Sequence, residues 1–317
     1  RRLIMSEKLQ RLAVKMSDLF PKDASSPQYY YDLFKDVYKQ QKDYFSYFNP
    51  SDIIKLIFYI YSYNKTNNFK LAEQLDRAGV QQIMVDLENI GKSDRQKSTN
   101  AVINYHQVSD IVRLKSHVNK AKIICRINGF YTGTFSEIDS AIEAGADSIM
   151  IPMIRNLNDF TSIVEYVGER VKILPLIETP YSLLKTDEIL SICKPEQIHF
   201  GLNDLSIGFG LSNIFEIFLS KPFKDIVLSC AEKLDIVGVG GVGNMHHEYT
   251  ISPEHILNEH KLMGSNCVIL SRAFFSKDMD DYFIKDSIKA IEDIVLSDYS
   301  EVKSVYLYNQ INQAICL

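Results

Sequence analysis

Three short segments of the chain repeat one pattern, and that pattern leaves few architectures open. They are AGVQQIMVD (78–86), AGADSIMIP (144–152) and MGSNCVILS (263–271). Each has a glycine, two or three spacer residues, and then a β-branched or otherwise apolar run. A helix closed by a left-handed glycine and followed by a buried parallel strand has this signature. The residues ahead of the glycines agree. Leu71, Ala72, Leu75 and Ala78 keep helical spacing before Gly79, as do Ile138, Ala141 and Ile142 before Gly145.

Extending this rhythm predicts eight strands, near 54–61, 82–87, 122–127, 147–152, 171–177, 197–202, 235–239 and 266–271. Helical patterns lie between them, with Pro222 suited to the first turn of a helix over 222–233. The units cover about 260 residues, close to the ~250 typical of a (β/α)8 barrel. A doubly wound open sheet is the rival. The regular spacing of eight units favours a closed (β/α)8 TIM barrel over residues 51–317.

Residues 1–50 stand outside the rhythm. Leu9, Leu12, Ala13, Met16, Leu19 and Phe20 make one helical stripe, which Pro21 stops. After a Ser/Pro break comes the aromatic stretch YYYDLFKDVYKQQKDYFSYF (29–48). We read 1–50 as a helical extension that packs on the barrel or on a partner.

Composition narrows the partners. A chain of 317 residues with 46% hydrophobic content can bury a large core. The formal net charge of −5, with no basic run interleaved with aromatics, argues against nucleic acid. Small anionic substrates stay compatible, because local positive groups override a mildly acidic whole. The longest apolar run, Leu56–Tyr61, is far too short for a membrane span. The opening residues lack a signal-peptide pattern. The five cysteines form no C-x-x-C pair, so buried thiols in a reducing, cytoplasmic setting are expected.

In such a barrel, chemistry gathers at the C-terminal ends of the strands. Strand 2 ends in MVDLEN (Asp86, Glu88), strand 3 in ICRIN (Arg126, Asn128), strand 5 in LPLIET (Glu178), and strand 6 in FGLND (Asn203, Asp204). A scaffold needing only stability has little reason to place carboxylates there. Glu178 and Asp204 come from adjacent strands and can converge. Two neighbouring carboxylates repel unless a cation or proton lies between them. Oxygen donors of this kind suit Mg²⁺ or Mn²⁺. A salt bridge of Glu178 with Arg126 is the alternative. Histidines show no ligand spacing. His106, His117 and His199 look isolated, and His246 and His247, after a glycine run, are the ones best placed for acid–base work.

That run, DIVGVGGVGN (235–244), contains G-x-G-x-x-G at Gly238, Gly240 and Gly243. It fails as a dinucleotide fingerprint, because no helix opens directly after it and no acidic residue ends the next strand. Loops after strands 7 and 8 of these barrels often bind phosphate. Gly240 and Gly241 are therefore expected either to wall a carboxylate or phosphate site or to form a tight turn. On the first reading, Gly240→Val damages ligand binding without unfolding the barrel.

The motifs VDLE (85–88), CRIN (125–128), PMI (152–154), LIET (176–179) and GLNDLSIGFG (201–210), in this order, resemble the HpcH/HpaI aldolase and citrate lyase beta-subunit family over roughly 54–275. The resemblance implies a (β/α)8 barrel with a divalent metal on Glu178 and Asp204. It also implies that Arg126 contacts the carboxylate or enolate oxygen of a pyruvate-like or acyl substrate, and that the protein forms a homo-oligomer. Cleaving a bond beside a carbonyl makes an enolate, which a metal and a fixed positive charge both stabilise. Backbone amides around Gly201–Leu205 are placed to hold a carboxylate. One departure stands out: Asn89 follows VDLE, where family pyruvate aldolases carry a histidine base and citrate lyase-like members an aspartate. Asp86, Glu88 or a metal-bound water must then act as base. Lys92 and Arg95, in the same loop, are candidates for an extra anionic group. The expected activity is a metal-dependent carbon–carbon lyase or aldolase working through the enolate of a 2-oxo acid. A citrate lyase-like acyl-CoA lyase or thioesterase is one alternative, and a barrel retained as a binding or assembly module is another.

Overall fold

The computed structural model describes residues 55–59, 68–91, 106–275, 279–296 and 310–311. The proposed extension (1–50), Lys92 and Arg95 lie outside the described residues.

Eight parallel strands close into a barrel in sequence order. They are β1 (Lys55–Tyr59), β2 (Gln82–Asp86), β3 (Lys122–Arg126), β4 (Ser148–Ile151), β5 (Lys172–Ile177), β6 (Gln197–Phe200), β7 (Ile236–Val242) and β8 (Cys267–Leu270). Pairing of β1 with β8 completes the circle, with Leu56 opposite Val268. The doubly wound rival is excluded.

Helices follow the strands: α1 (Asn68–Ala78), α2 (Val108–His117), α3 (Thr134–Glu143), α4 (Leu157–Val167), α5 (Pro180–Leu184), α6 (Thr186–Cys193), α7 (Leu202–Phe209), α8 (Lys221–Ala231), α9 (Pro253–Leu262) and α10 (Asp281–Leu296). The three glycines that announce the rhythm hold left-handed backbone, with φ of 99° at Gly79, 97° at Gly145 and 69° at Gly264. A side chain is disfavoured at such angles, which is why glycine marks each helix-to-strand joint. None of the described helices is long and apolar enough to cross a membrane.

Strand alternation sorts the apolar residues into two cores. Ile83, Val85, Ile123, Cys125, Ile149, Ile177, Ile198, Phe200, Val237 and Val268 face outward and bury against the helix ring. Met84, Ile124, Met150, Leu174, Leu176 and Cys267 fill the barrel interior. Near the N-terminal end, Gln82 and Gln197 exchange amide hydrogen bonds of 2.6 and 3.0 Å across the interior. The paired amides satisfy each other where water is excluded, and they close that end beneath the apolar layer.

Strand β7 departs from expectation. It runs three residues past Val239, so the glycine run is strand and not a loop. Its register against β8 shifts between Gly238 and Gly241, the mark of an irregularity that re-aims the chain.

Candidate functional site

The last rung of the β2–β3 ladder sets Asp86 directly opposite Arg126. Side chains on one rung point to the same face, so both turn inward at the C-terminal mouth. Arg126 donates from Nε to Asp86 Oδ1 at 2.8 Å and from Nη2 to Oδ2 at 2.9 Å. The geometry is the bidentate fork for which guanidinium suits carboxylate. Glu88, just past the strand, brings Oε2 to 3.6 Å from Arg126 Nε. Its own amide donates to Asp86 Oδ1 at 3.1 Å. His106 is not isolated: its Nδ1 accepts from the Asp86 amide at 3.0 Å.

Glu178 follows β5 and is 3% exposed. Its Oε1 accepts from the Met153 amide at 3.0 Å. Gly201, at the start of α7, leaves room for it; a Cβ there would lie 3.0 Å from Glu178 Oε2. Burial first, and then the negative charges of Glu88 and Asp204, hold the Glu178 carboxyl well above the usual carboxylate range, with Arg126 and the Met153 amide opposing. Asp204 lies half-buried in the first turn of α7, beside Asn203. The structure thus gathers Asp86, Glu88, Arg126, Glu178 and Asp204 at one mouth, and the salt bridge on Arg126 falls to Asp86 and Glu88.

A carboxylate that resists ionisation beside two others marks a place where positive charge is short. Among the described residues, no three His, Cys, Asp or Glu side chains close a metal cage.

Other expected contacts fall elsewhere. The Asn128 amide is committed to structure. Its Oδ1 accepts from the Asn89 and Ile90 amides at 2.8 and 2.9 Å, and its Nδ2 donates to Leu87 O and Glu137 Oε1. It pins the turn after β2. The Gly201 amide donates to Ile177 O and the Leu205 amide to Gly201 O. An anion in the Gly201–Leu205 turn must then use the amides between them.

The β7 glycines answer to neighbouring side chains. A Cβ on Gly238 would sit 2.1 Å from His199 Nδ1, and one on Gly240 would sit 2.5 Å from Leu202 Cδ1. Gly241 faces the Ile269 carbonyl, and Gly243 the Tyr249 hydroxyl. Gly240 also has φ of 50°. Close approach is real, but its cause is packing, so Gly240 and Gly241 are not placed by these contacts as a ligand wall.

His199 fills the space that Gly238 leaves. It is wholly buried, and its Nε2 lies 3.1 Å from Gly240 O. Burial pushes its pKa down to about 4, so the ring is neutral and Nε2 carries the proton toward that carbonyl. His246 turns to Asp286 on α10, 3.0 Å away. Sequence reasoning missed Met153 and the role of His199. Met153 has φ of 50°, rare for a residue with a side chain, and only the preceding Pro152 hinted at a constrained turn.

Residues 60–232 match the profile of the HpcH/HpaI aldolase/citrate lyase family. A crystal structure of an HpcH/HpaI aldolase from Desulfitobacterium hafniense DCB-2 superposes with a TM-score of 0.50 at 16% identity, over 69% of this chain and 86% of that one. At that identity the likeness speaks for the fold alone. No curated protein matches.

Proposed function

The chain belongs to the HpcH/HpaI aldolase/citrate lyase family, and from that premise we propose that it is a divalent-metal-dependent carbon–carbon lyase acting through the enolate of a 2-oxo acid. One observation carries the reading: Glu178 is buried with its charge opposed by Glu88 and Asp204, while Arg126 stands across the same mouth.

Glu178 and Asp204 would hold Mg²⁺ or Mn²⁺, which supplies Lewis-acid polarisation of a substrate carbonyl. Arg126 contributes a fixed positive charge where negative charge develops, and it is already oriented before substrate arrives. Asp86 is the positioning residue that orients it. Because both Asp86 oxygens are engaged by Arg126, Asp86 is a poor proton acceptor. Glu88 takes that role in this reading, being buried with its Oε2 3.6 Å from Arg126 Nε. Asn89 is exposed, and its amide has no basic lone pair suited to the task. The substrate is small and anionic. Family membership also supports a homo-oligomer, which light scattering would count.

The test is oxaloacetate decarboxylation and pyruvate C3 proton exchange with added Mg²⁺ or Mn²⁺, run beside Mn²⁺ binding by electron paramagnetic resonance. Wild type should turn over and bind Mn²⁺, and Glu178→Gln should lose both. Absence of turnover together with unchanged Mn²⁺ binding in Glu178→Gln would refute the proposal.

A further inference from the structure

Beside the central mouth lies a second recess, of about 360 Å³. Three consecutive strand-to-helix connections and one helix build it. Ile90 and Gly91 follow β2, Gly129 and Phe130 follow β3, and Pro152 to Asn156 follow β4. Ile151, Phe160 and Ile163 complete the wall from β4 and α4. All these connections belong to the C-terminal face, where such barrels receive ligands. The volume sits in the lower range of small-molecule pockets.

The chemistry of the wall is uneven. Ile151, Ile154, Phe160 and Ile163 are buried, and Phe130 and Ile90 stand 45% and 48% exposed at the rim. Polar groups sit together on one side: Arg155, Asn156 and Asp159. Asn156 caps α4 by accepting from the Asp159 amide at 2.8 Å, and its side-chain nitrogen donates to Asp159 Oδ2. The Asp159 carboxylate is therefore engaged at the helix start. Arg155 is exposed and is the one cation in the wall among the described residues. No carboxylate lies within salt-bridge range of it among the described residues. A cation with no carboxylate partner among the described residues, above an apolar floor, matches a ligand with an apolar body and an anionic head.

The recess also touches the central site through one residue. Met153 lines the recess, and its amide donates to Glu178 Oε1. Its backbone is held at φ of 50°, a strained setting. Its Cβ would lie 3.3 Å from a Cβ on Gly129, a tight approach. The recess and the central site thus share Met153.

We propose that this recess binds a short-chain aliphatic carboxylate, its chain against Ile151, Ile154, Phe160 and Ile163 and its carboxylate on Arg155. Two sources share that chemistry: the non-reacting arm of the enzyme's own substrate, and a separate molecule acting beside it. The choice between them rests on the lyase reading above, but the existence of the site does not.

The experiment titrates butyrate, hexanoate and octanoate into the full chain by isothermal calorimetry and saturation-transfer NMR. Wild type, Arg155→Glu, Ile163→Asn and Glu178→Gln are compared, with circular dichroism confirming that each variant is folded. Hexanoate should bind wild type and Glu178→Gln alike, and at least tenfold more weakly to Arg155→Glu. If Ile163→Asn does not fold, Phe130→Ser at the exposed rim takes its place. Adding oxalate with Mg²⁺ separates the sources: mutual exclusion identifies an arm of the substrate, and simultaneous binding identifies a separate ligand. Equal hexanoate affinity in wild type and Arg155→Glu, or no binding at any chain length, would overturn the proposal. Loss of oxalate binding alone in Glu178→Gln leaves the recess standing.

Discussion

Arg126 and Asp86 face each other across the last rung of β2 and β3, joined by two parallel hydrogen bonds of 2.8 and 2.9 Å. The pair is nearly buried, with side-chain exposures of 14% and 0%. Removing one partner strands the other charge, which costs about 3–5 kcal/mol for buried pairs. Asp86→Ala should thus lower the midpoint of thermal unfolding by many degrees and abolish turnover. Arg126→Lys keeps the charge but loses the fork; it should stay folded and lose most activity. Circular dichroism melts and the decarboxylation assay read both. An Asp86→Ala variant as stable as wild type would contradict the assignment.

Glu178 predicts a pH dependence that a cation should reverse. Its carboxyl is held above the usual range near 4.3, by burial first and then by Glu88 and Asp204. A raised folded pKa favours folding while the group is protonated, and that contribution is lost as pH rises through the folded value. In metal-free protein this group therefore makes stability fall as pH rises above the ordinary carboxylate range and through its raised folded value. Glu178→Gln should flatten that part of the profile. Mg²⁺ should raise the melting temperature of wild type more at the higher pH, and leave Glu178→Gln unchanged.

His199 and His260 work in the opposite direction. Burial chiefly lowers them to about 4 and about 3, from 6.5. The unfolded chain binds protons that the folded chain refuses, so stability falls as pH drops from about 6.5 toward about 4. For His199 the lowering corresponds to about 3 kcal/mol across that window. Urea titrations at successive pH values should show the slope, and His199→Gln should reduce it. An unchanged slope in that variant would mean that His199 is not the group responsible.

Gly238 and His199 should behave as one unit. A methyl group on Gly238 would collide with the imidazole, 2.1 Å from Nδ1, and the ring has no open side to move toward. Gly238→Ala alone should cost roughly 2–3 kcal/mol or more, as overpacking does. Combined with His199→Ala, the second change should recover part of that loss. A double-mutant cycle read by chemical unfolding measures the coupling, and strict additivity would argue against the contact. Gly240→Val, with φ of 50° and Leu202 Cδ1 2.5 Å from any Cβ, should destabilise the barrel itself. That outcome replaces the sequence-based expectation of a pure binding defect.

Asn128→Ala removes the acceptor that two successive amides share and the side-chain donor to Glu137 Oε1, while the backbone amide of residue 128 still donates to Glu137 Oε2. Loss of such buried hydrogen bonds costs about 1–3 kcal/mol. Hydrogen exchange should rise at the Asn89 and Ile90 amides before any global change is seen.

Much of this was legible in the chain. The Gly-to-apolar rhythm carried the barrel, because a left-handed helix end and a buried strand both leave local chemical traces. The acidic ends of β2, β5 and β6 were legible for the same reason: a charge after an apolar run stands out. What stayed hidden depends on partners distant in sequence. Asn128 reads as a mouth residue until its contacts with Asn89 and Glu137 are known. The glycines of β7 look like a phosphate loop because sequence shows a missing side chain, but not whose side chain fills the space. Met153 carries only the faint mark of the preceding Pro152, since its contacts with Gly129 and Glu178 bring together residues distant in sequence.

Strand β7 has a further consequence for how such a chain changes over generations. His199 and Leu202, from β6 and the start of α7, and Tyr249 beyond β7 occupy the volume that Gly238, Gly240 and Gly243 vacate. Bulk can return to the strand only if its neighbour gives bulk up in the same lineage. Related sequences should therefore show positions 199 and 238, 202 and 240, and 243 and 249 exchanging large for small in matched pairs.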